Sequence, residues 1–133
     1  MNYYLDTDIC IFALREKFPS IKLWMQKCSP EHIKISSIVK AELLLGALKS
    51  DDPKKVLSIV EKFLDPFEII SFDENSAGVY AQIRYDLEKK GQLIGPNDLL
   101  IASTVLAHQG TLITHNMDEF KRIGHLKIQD WCE

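Results

Sequence analysis

Short apolar runs alternating with amphipathic segments predict an α/β protein, a three-layer sandwich whose helices cover both faces of a mainly parallel sheet. Candidate strands fall at residues 3–5, 32–35, 67–71, 111–114 and 126–128, and helical spacing fills the intervals between them. Helix-opening and helix-closing residues punctuate those intervals. The 133 residues, 46% of them apolar, suffice for one buried core and not for two ordinary domains, so residues 1–133 read as one domain.

Tyr3, Tyr4 and Leu5 form an apolar run that ends at Asp6, the pattern of a buried strand with an acid at its carboxyl end. Thr7 and Asp8 can cap a helix starting near Ile9. A second helix follows Pro19, with Ile21, Trp24, Met25 and Cys28 on one side, and Ser29-Pro30 stops it. After the strand at 32–35, Ser36 and Ser37 offer hydroxyl caps to an apolar helix over 38–48. Asp52-Pro53 opens the next helix, because Pro fits the first helical position, and Val56, Leu57, Val60, Phe63 and Leu64 mark its buried stripe.

Asp73 caps a helix with Ala77, Tyr80, Ile83 and Leu87 inside, and Lys89-Lys90-Gly91 ends it as helix C-termini prefer. Asn97 can cap a nearly wholly apolar helix over 99–107, which Gly110 closes before the strand at 111–114. A short helix over 118–122 and the strand at 126–128 complete the chain. In such parallel sheets ligands gather outside the carboxyl ends of the strands, where Asp6 and residues 114–116 fall.

The net charge of −3 is spread along the chain, so bulk charge points to no polyanion. Cys10, Cys28 and Cys132 are odd in number and far apart, which argues against a disulfide framework and a zinc cluster and for a reducing, cytoplasmic setting. His32, His108, His115 and His125 lack any HxxxH or HExxH spacing and read as surface or capping residues. No apolar run reaches the ~20 residues of a membrane span, and the first residues lack a signal-peptide layout, so a soluble protein is expected.

The informative anomaly is three acids in apolar company, since a buried carboxylate is costly without a cation or hydrogen-bond donors. Glu42 interrupts the apolar helix over 38–48, Asp98 opens the run 99–102, and Asp6 closes 3–5. Singly, Asp6 and Asp98 can be explained as helix caps; Glu42, well inside its helix, cannot. If the three converge, like charges ~4 Å apart repel by about 4 kcal/mol at an effective dielectric of ~20. A divalent cation would resolve this, and oxygen-only donors favour Mg²⁺ or Mn²⁺ over zinc. Such a centre is the usual apparatus for hydrolysing a phosphodiester.

The wording of these motifs resembles the PIN-domain family, in particular the VapC-type toxins of bacterial toxin–antitoxin pairs. The matching pieces are Leu5-Asp6-Thr7-Asp8-Ile9, Lys40-Ala41-Glu42-Leu43 with Gly46-Ala47, Ile94-Gly95-Pro96-Asn97-Asp98, and Thr111-Leu112-Ile113-Thr114-His115-Asn116 leading to Glu119-Phe120 and Trp131. The resemblance implies an Mg²⁺- or Mn²⁺-dependent endoribonuclease, with tRNA the leading substrate, that forms a homodimer. It also implies a VapB-type antitoxin that blocks the site and binds operator DNA together with the toxin. Carried over residue by residue, it makes Asp6 and Asp98 direct metal ligands and lets Glu42 act through water. Thr7 would orient Asp6, Asn97 would cap the helix presenting Asp98, and Thr114 would support the strand end.

One departure stands out: Asn116 occupies the place where many PIN domains carry a fourth acid. Its amide oxygen can still accept from a water, so one firmly held metal is expected rather than two. Asp118 is near enough in sequence to substitute, although a surface capping role suits it better. Of the basic residues flanking the motifs, Lys40, Arg84, Lys89 and Lys90, Arg84 is the best candidate to contact phosphate or antitoxin, because its fork of donors suits either anion.

Two other functions compete. Asp6-Thr7-Asp8 with Ser36 or Ser37 also resembles the opening of haloacid-dehalogenase-like phosphatases, where Asp6 would be a covalent nucleophile and Glu42 would have no role. A catalytically silent PIN-like protein-binding or repressor partner is the other alternative, against which the three intact acids speak.

Overall fold

The computed structural model describes all residues, 1–133. Five strands, β1 (Tyr3–Leu5), β2 (Ile33–Ser36), β3 (Glu68–Ile70), β4 (Thr111–Ile113) and β5 (Lys127–Gln129), form one sheet in the order β3-β2-β1-β4-β5. Every pairing is parallel, so the expected mainly parallel sheet is wholly so. Seven helices flank it: α1 (Thr7–Leu14), α2 (Pro19–Lys27), α3 (Ser37–Leu48), α4 (Pro53–Leu64), α5 (Glu74–Lys89), α6 (Pro96–Ala107) and α7 (Met117–Phe120). None is long and apolar enough to cross a membrane.

The central strands are buried on both faces, as helix-covered parallel strands must be: Tyr4, Leu5, Ile33, Ile35, Leu112 and Ile113 are all within 2% of complete burial. Trp131 closes the core near the end of the chain, stacked on Trp24 of α2 at 5.7 Å between ring centroids. Because all strands run the same way, the residues that follow them, among them Asp6, Ser37, Thr114 and Asp130, share one edge of the sheet.

Several local expectations need correction. Helix α1 begins at Thr7 with Asp6 itself as N-cap, two residues before the expected start. Helix α6 begins at Pro96, with Gly95 at its N-cap and no side-chain cap, so Asn97 does not cap it. The left-handed residue after α6 is Gln109, φ 56°, whereas after α5 it is Gly91, φ 64°, as expected. Gly110 is required for space: a Cβ there would sit 2.3 Å from Cε1 of buried Tyr4. Gly110→Ala must displace that ring at a cost of about 1–3 kcal/mol. A melting temperature lowered by roughly 3–10 °C is the expected result; an unchanged melt would contradict this packing.

Helix α3 is also less buried than its composition suggests. Val39, Leu43 and Ala47 face the core, while Leu45 and Leu48 are 51% and 59% exposed. Periodicity located the helix but not which of its apolar residues lacked a neighbour.

Candidate active site

The pocket assembles at the carboxyl edge of the sheet, where α1, α3 and α6 begin or pass. Asp6 continues β1 by donating its N–H to the Ile113 carbonyl at 2.8 Å, which fixes its backbone between β1 and β4. Its side chain is 5% exposed. Oδ1 accepts from the Thr7 N–H at 2.9 Å and Oδ2 from the Thr114 hydroxyl at 2.8 Å. Thr114 is itself oriented by the Asn116 N–H, which donates to its Oγ1 at 3.0 Å. Burial, and after it the Asp8 carboxylate, outweigh these bonds and push the Asp6 pKa up to about 7.

Glu42 arrives on the second turn of α3, half-buried. Its Oε1 accepts from the Thr7 hydroxyl at 2.6 Å and its Oε2 from the Asn97 amide at 3.3 Å. Thr7 therefore serves two acids, its N–H on Asp6 and its hydroxyl on Glu42, and the orienting hydroxyl on Asp6 is Thr114's. Asn97 has exchanged its expected capping role for a grip on Glu42. One carboxylate thus bridges α1 and α6.

Asp98 lies in the first turn of α6, half-buried. Burial, then the neighbouring Glu119, Glu42 and Asp8, push its pKa up to about 6. The structure therefore brings together the three acids singled out in the sequence, and adds two that were missed. Asp8, read as a cap, accepts from the Ile9 and His115 N–H groups at 2.7 and 3.1 Å, and burial raises its pKa. Glu119 accepts from the Gly95 N–H at 3.0 Å and from the Asn116 amide at 2.7 Å. Those donors hold it ionised, with its pKa below the usual value.

Glu119, not Asp118, is the acid brought beside Asp98. A Cβ built on Gly95 would lie 3.7 Å from Asp98 Oδ2 and 4.0 Å from Glu119 Oε1, which places both carboxylates against the same backbone turn. Asn116 contributes by holding Glu119. Asp118 does not substitute: it is exposed and pairs with Lys121 at 3.2 Å. The signal available in the sequence was the spacing from Asn116 to Glu119, which puts both on one side of a single helical turn.

Arg84 is not brought to the acids. It lies exposed on α5, donating to Glu88 and to the Tyr80 hydroxyl, both at 2.7 Å. Ser36 and Ser37 act locally, Ser36 accepting from the Val39 N–H at the start of α3 and Ser37 from the Phe72 N–H.

A divalent cation fits this pocket by the chemistry of its donors. Asp6, Asp8, Glu42 and Asp98 form no ion pair with any lysine or arginine. Two of them are raised to about 6 and 7 by burial and mutual repulsion. Carboxylate oxygens without a counter-charge suit a hard ion. A cavity of about 480 Å³ lined by Phe18, Met25 and Phe63 contains none of these acids.

Comparison with known proteins agrees with this geometry. The family profile described as PIN domain matches residues 3–126. The ribonuclease VapC2 of Rickettsia felis is 42% identical, covering 98% of each chain, and the tRNA(fMet)-specific endonuclease VapC of Salmonella typhimurium is 35% identical, covering 99% of each. Among solved structures, VapBC2 of Rickettsia felis bound to a promoter DNA fragment superposes with a TM-score of 0.93 at 41% identity, covering 98% of this chain and 99% of that one. DNA-bound VapBC of Salmonella typhimurium gives 0.94 at 36% identity, covering 99% of both. The chain belongs to the PIN-domain family and, within it, to the VapC-type toxin ribonucleases.

Proposed function

We propose that the chain is an endoribonuclease that uses Mg²⁺ or Mn²⁺ to hydrolyse transfer RNA, and that a VapB-type antitoxin neutralises it. The observation that carries this reading is the cluster of carboxylates without a counter-cation at the carboxyl edge of the sheet. Nucleases of this kind are divalent-metal dependent. When bound, the cation lowers the pKa of a water and stabilises charge developing on the phosphate and the leaving oxygen.

The residues divide the remaining work. Asp6 and Asp98 hold the cation directly, and Glu119 stands beside Asp98 as the further acid a second ion would need. Glu42, fixed on both oxygens by Thr7 and Asn97, orients the attacking water and takes up its proton. That water's oxygen bonds to phosphorus as the phosphodiester bond to the leaving oxygen breaks, and the proton is returned to the leaving oxygen. Thr114 holds Asp6, and Asn116 holds Glu119 and Thr114. No phosphate contact is assigned to Arg84, which lies on α5 paired with Glu88 and Tyr80, away from the acids.

Transfer RNA is proposed because a relative that matches end to end is named for tRNA(fMet). The antitoxin is proposed because the matching structures are VapBC complexes, and operator DNA would be reached only through that complex. An apolar groove lined by Ile11, Leu14, Leu43, Val56 and Ile59 also includes Glu42, so an antitoxin segment seated there would meet the pocket. A homodimer is the proposed unit of assembly.

The direct test is cleavage of purified tRNA with Mn²⁺ by the parent and by Glu42→Gln, which keeps the side chain's size and one acceptor for Thr7 or Asn97 but removes the proton acceptor. Cleavage lowered by about 10²–10⁴-fold, with tRNA affinity unchanged, is expected for a lost base. Parent-like turnover by Glu42→Gln would remove Glu42 from the chemistry, and no metal-stimulated cleavage of any RNA by the parent would retire the reading.

A further inference from the structure

Outside the acidic pocket, at the adjoining strand ends, the chain collects a second set of metal-binding groups of different chemistry. His115 follows β4, and Asp130 and Cys132 follow β5, so the parallel pairing of these two strands brings the three to one corner. One ligand atom from each, an imidazole nitrogen, a carboxylate oxygen and a sulfur, lies within 4.8 Å of the others. The corner is already organised: His115 Nδ1 is 2.8 Å from Asp130 Oδ2, and the Cys132 N–H donates to Asp130 Oδ1 at 2.8 Å.

We propose that His115, Asp130 and Cys132 form a binding site for a borderline-soft divalent cation, Zn²⁺ in the first instance, separate from the oxygen-only pocket. Nitrogen, oxygen and sulfur donors in one place select zinc or cobalt over magnesium, and three protein ligands leave one position of a tetrahedron open. Carboxylate and thiolate together carry the two negative charges that balance the ion. Binding releases the thiol proton: the Cys132 S–H bond breaks, the sulfur–metal bond forms, and the proton passes to solvent. In the metal-free protein burial, followed by the Asp130 carboxylate, pushes that thiol up to about 12; a cation at the same corner reverses the electrostatic part of this cause.

The corner is linked to the pocket. The His115 main chain holds Asp8 Oδ2, and its ring packs on Phe12 and Phe18 at 5.9 and 5.6 Å between centroids. An ion that fixes His115 therefore fixes one wall of the acidic site as well. It also ties the segment after β5 to the end of β4. The sequence concealed the site because its ligands are 15 and 2 residues apart in a spacing that matches no zinc motif.

The test uses the full metal-free chain and the metals alone, Co²⁺ as the spectroscopic probe and Zn²⁺ as competitor. One Co²⁺ should give the near-ultraviolet sulfur-to-cobalt charge-transfer band, and Zn²⁺ should abolish it. Cys132→Ser should lose the band, and Asp130→Asn should weaken Zn²⁺ binding by about tenfold or more. The double variant Asp6→Asn/Asp98→Asn should retain both. Near-ultraviolet circular dichroism of the Trp24–Trp131 stack identifies any variant that fails to fold, in which case Asp130→Asn alone decides. A parent without the band, or Zn²⁺ binding that survives Cys132→Ser and disappears in the acidic-pocket double variant, would overturn the site. Neither result depends on whether the acidic pocket cleaves RNA.

Discussion

Asp6→Asn will cleave RNA at a rate about three orders of magnitude below the parent, the scale at which one preorganised charge in a closed site matters, while its metal-free form will be the more stable protein. The two effects have one cause. Asp6 is 5% exposed and its pKa stands near 7 instead of 3.8. At pH 8 folding must therefore hold an anion in surroundings that disfavour it. The displacement of about three pKa units corresponds to roughly 4 kcal/mol at about 1.4 kcal/mol per unit. Asparagine keeps an acceptor for Thr7 or Thr114 and removes the charge. A metal-free melting temperature above the parent's at pH 8, together with lost cleavage, is the paired outcome to look for. Parent-like cleavage would sink the ligand role, and a lower metal-free stability would sink the electrostatic account.

The second large effect is the dependence of stability on pH and metal. Asp6 and Asp98 have folded-state pKa values near 7 and 6 against 3.8 when unfolded. Between these limits the native state binds protons that the unfolded chain has already released, so metal-free stability falls as pH rises through this range. A divalent cation competes for the same oxygens and supplies the charge that protons supply at low pH. Mn²⁺ at about a hundred times its Kd should add about 2.7 kcal/mol by mass action. That increment should be largest at pH 8 and small at pH 5.5. Differential scanning calorimetry at both values, with and without Mn²⁺, measures it. A metal-free protein that melts higher at pH 8 than at pH 5.5, or a Mn²⁺ increment independent of pH, would contradict the proposed pocket.

How much of this was legible in the sequence differs by scale. The strands and helices could be read because apolar periodicity and caps such as Asp52-Pro53 and Asp73 are local, and the structure keeps both caps. Asp6, Glu42 and Asp98 stood out because each interrupts or bounds apolar sequence. What could not be read was which donor serves which acid. Resemblance assigned Thr7 to Asp6, and Asn97 was read as the cap of α6; packing turns both side chains toward Glu42, while Thr7 keeps Asp6 through its N–H. Glu119 was hidden because α7 has only four residues, too few for a periodic pattern. The family assignment, resting on motifs spread over most of the chain, was available from the sequence and agrees with the fold.

The bonds that set the pocket span the chain from one end to the other. Thr7 and Glu42 are 35 residues apart, Asn97 and Glu42 55 apart, and Thr114 and Asp6 108 apart. Closing contacts so distant requires most of the chain, and a nascent chain emerges in order from its N-terminus. A ribosome-bound fragment that ends before residue 114 can display Asp6, Glu42 and Asp98 yet cannot seat Asp6 against Thr114. The assembled pocket is thus a property of the nearly full-length chain, and a fragment that stops short of Thr114 is expected to be inactive.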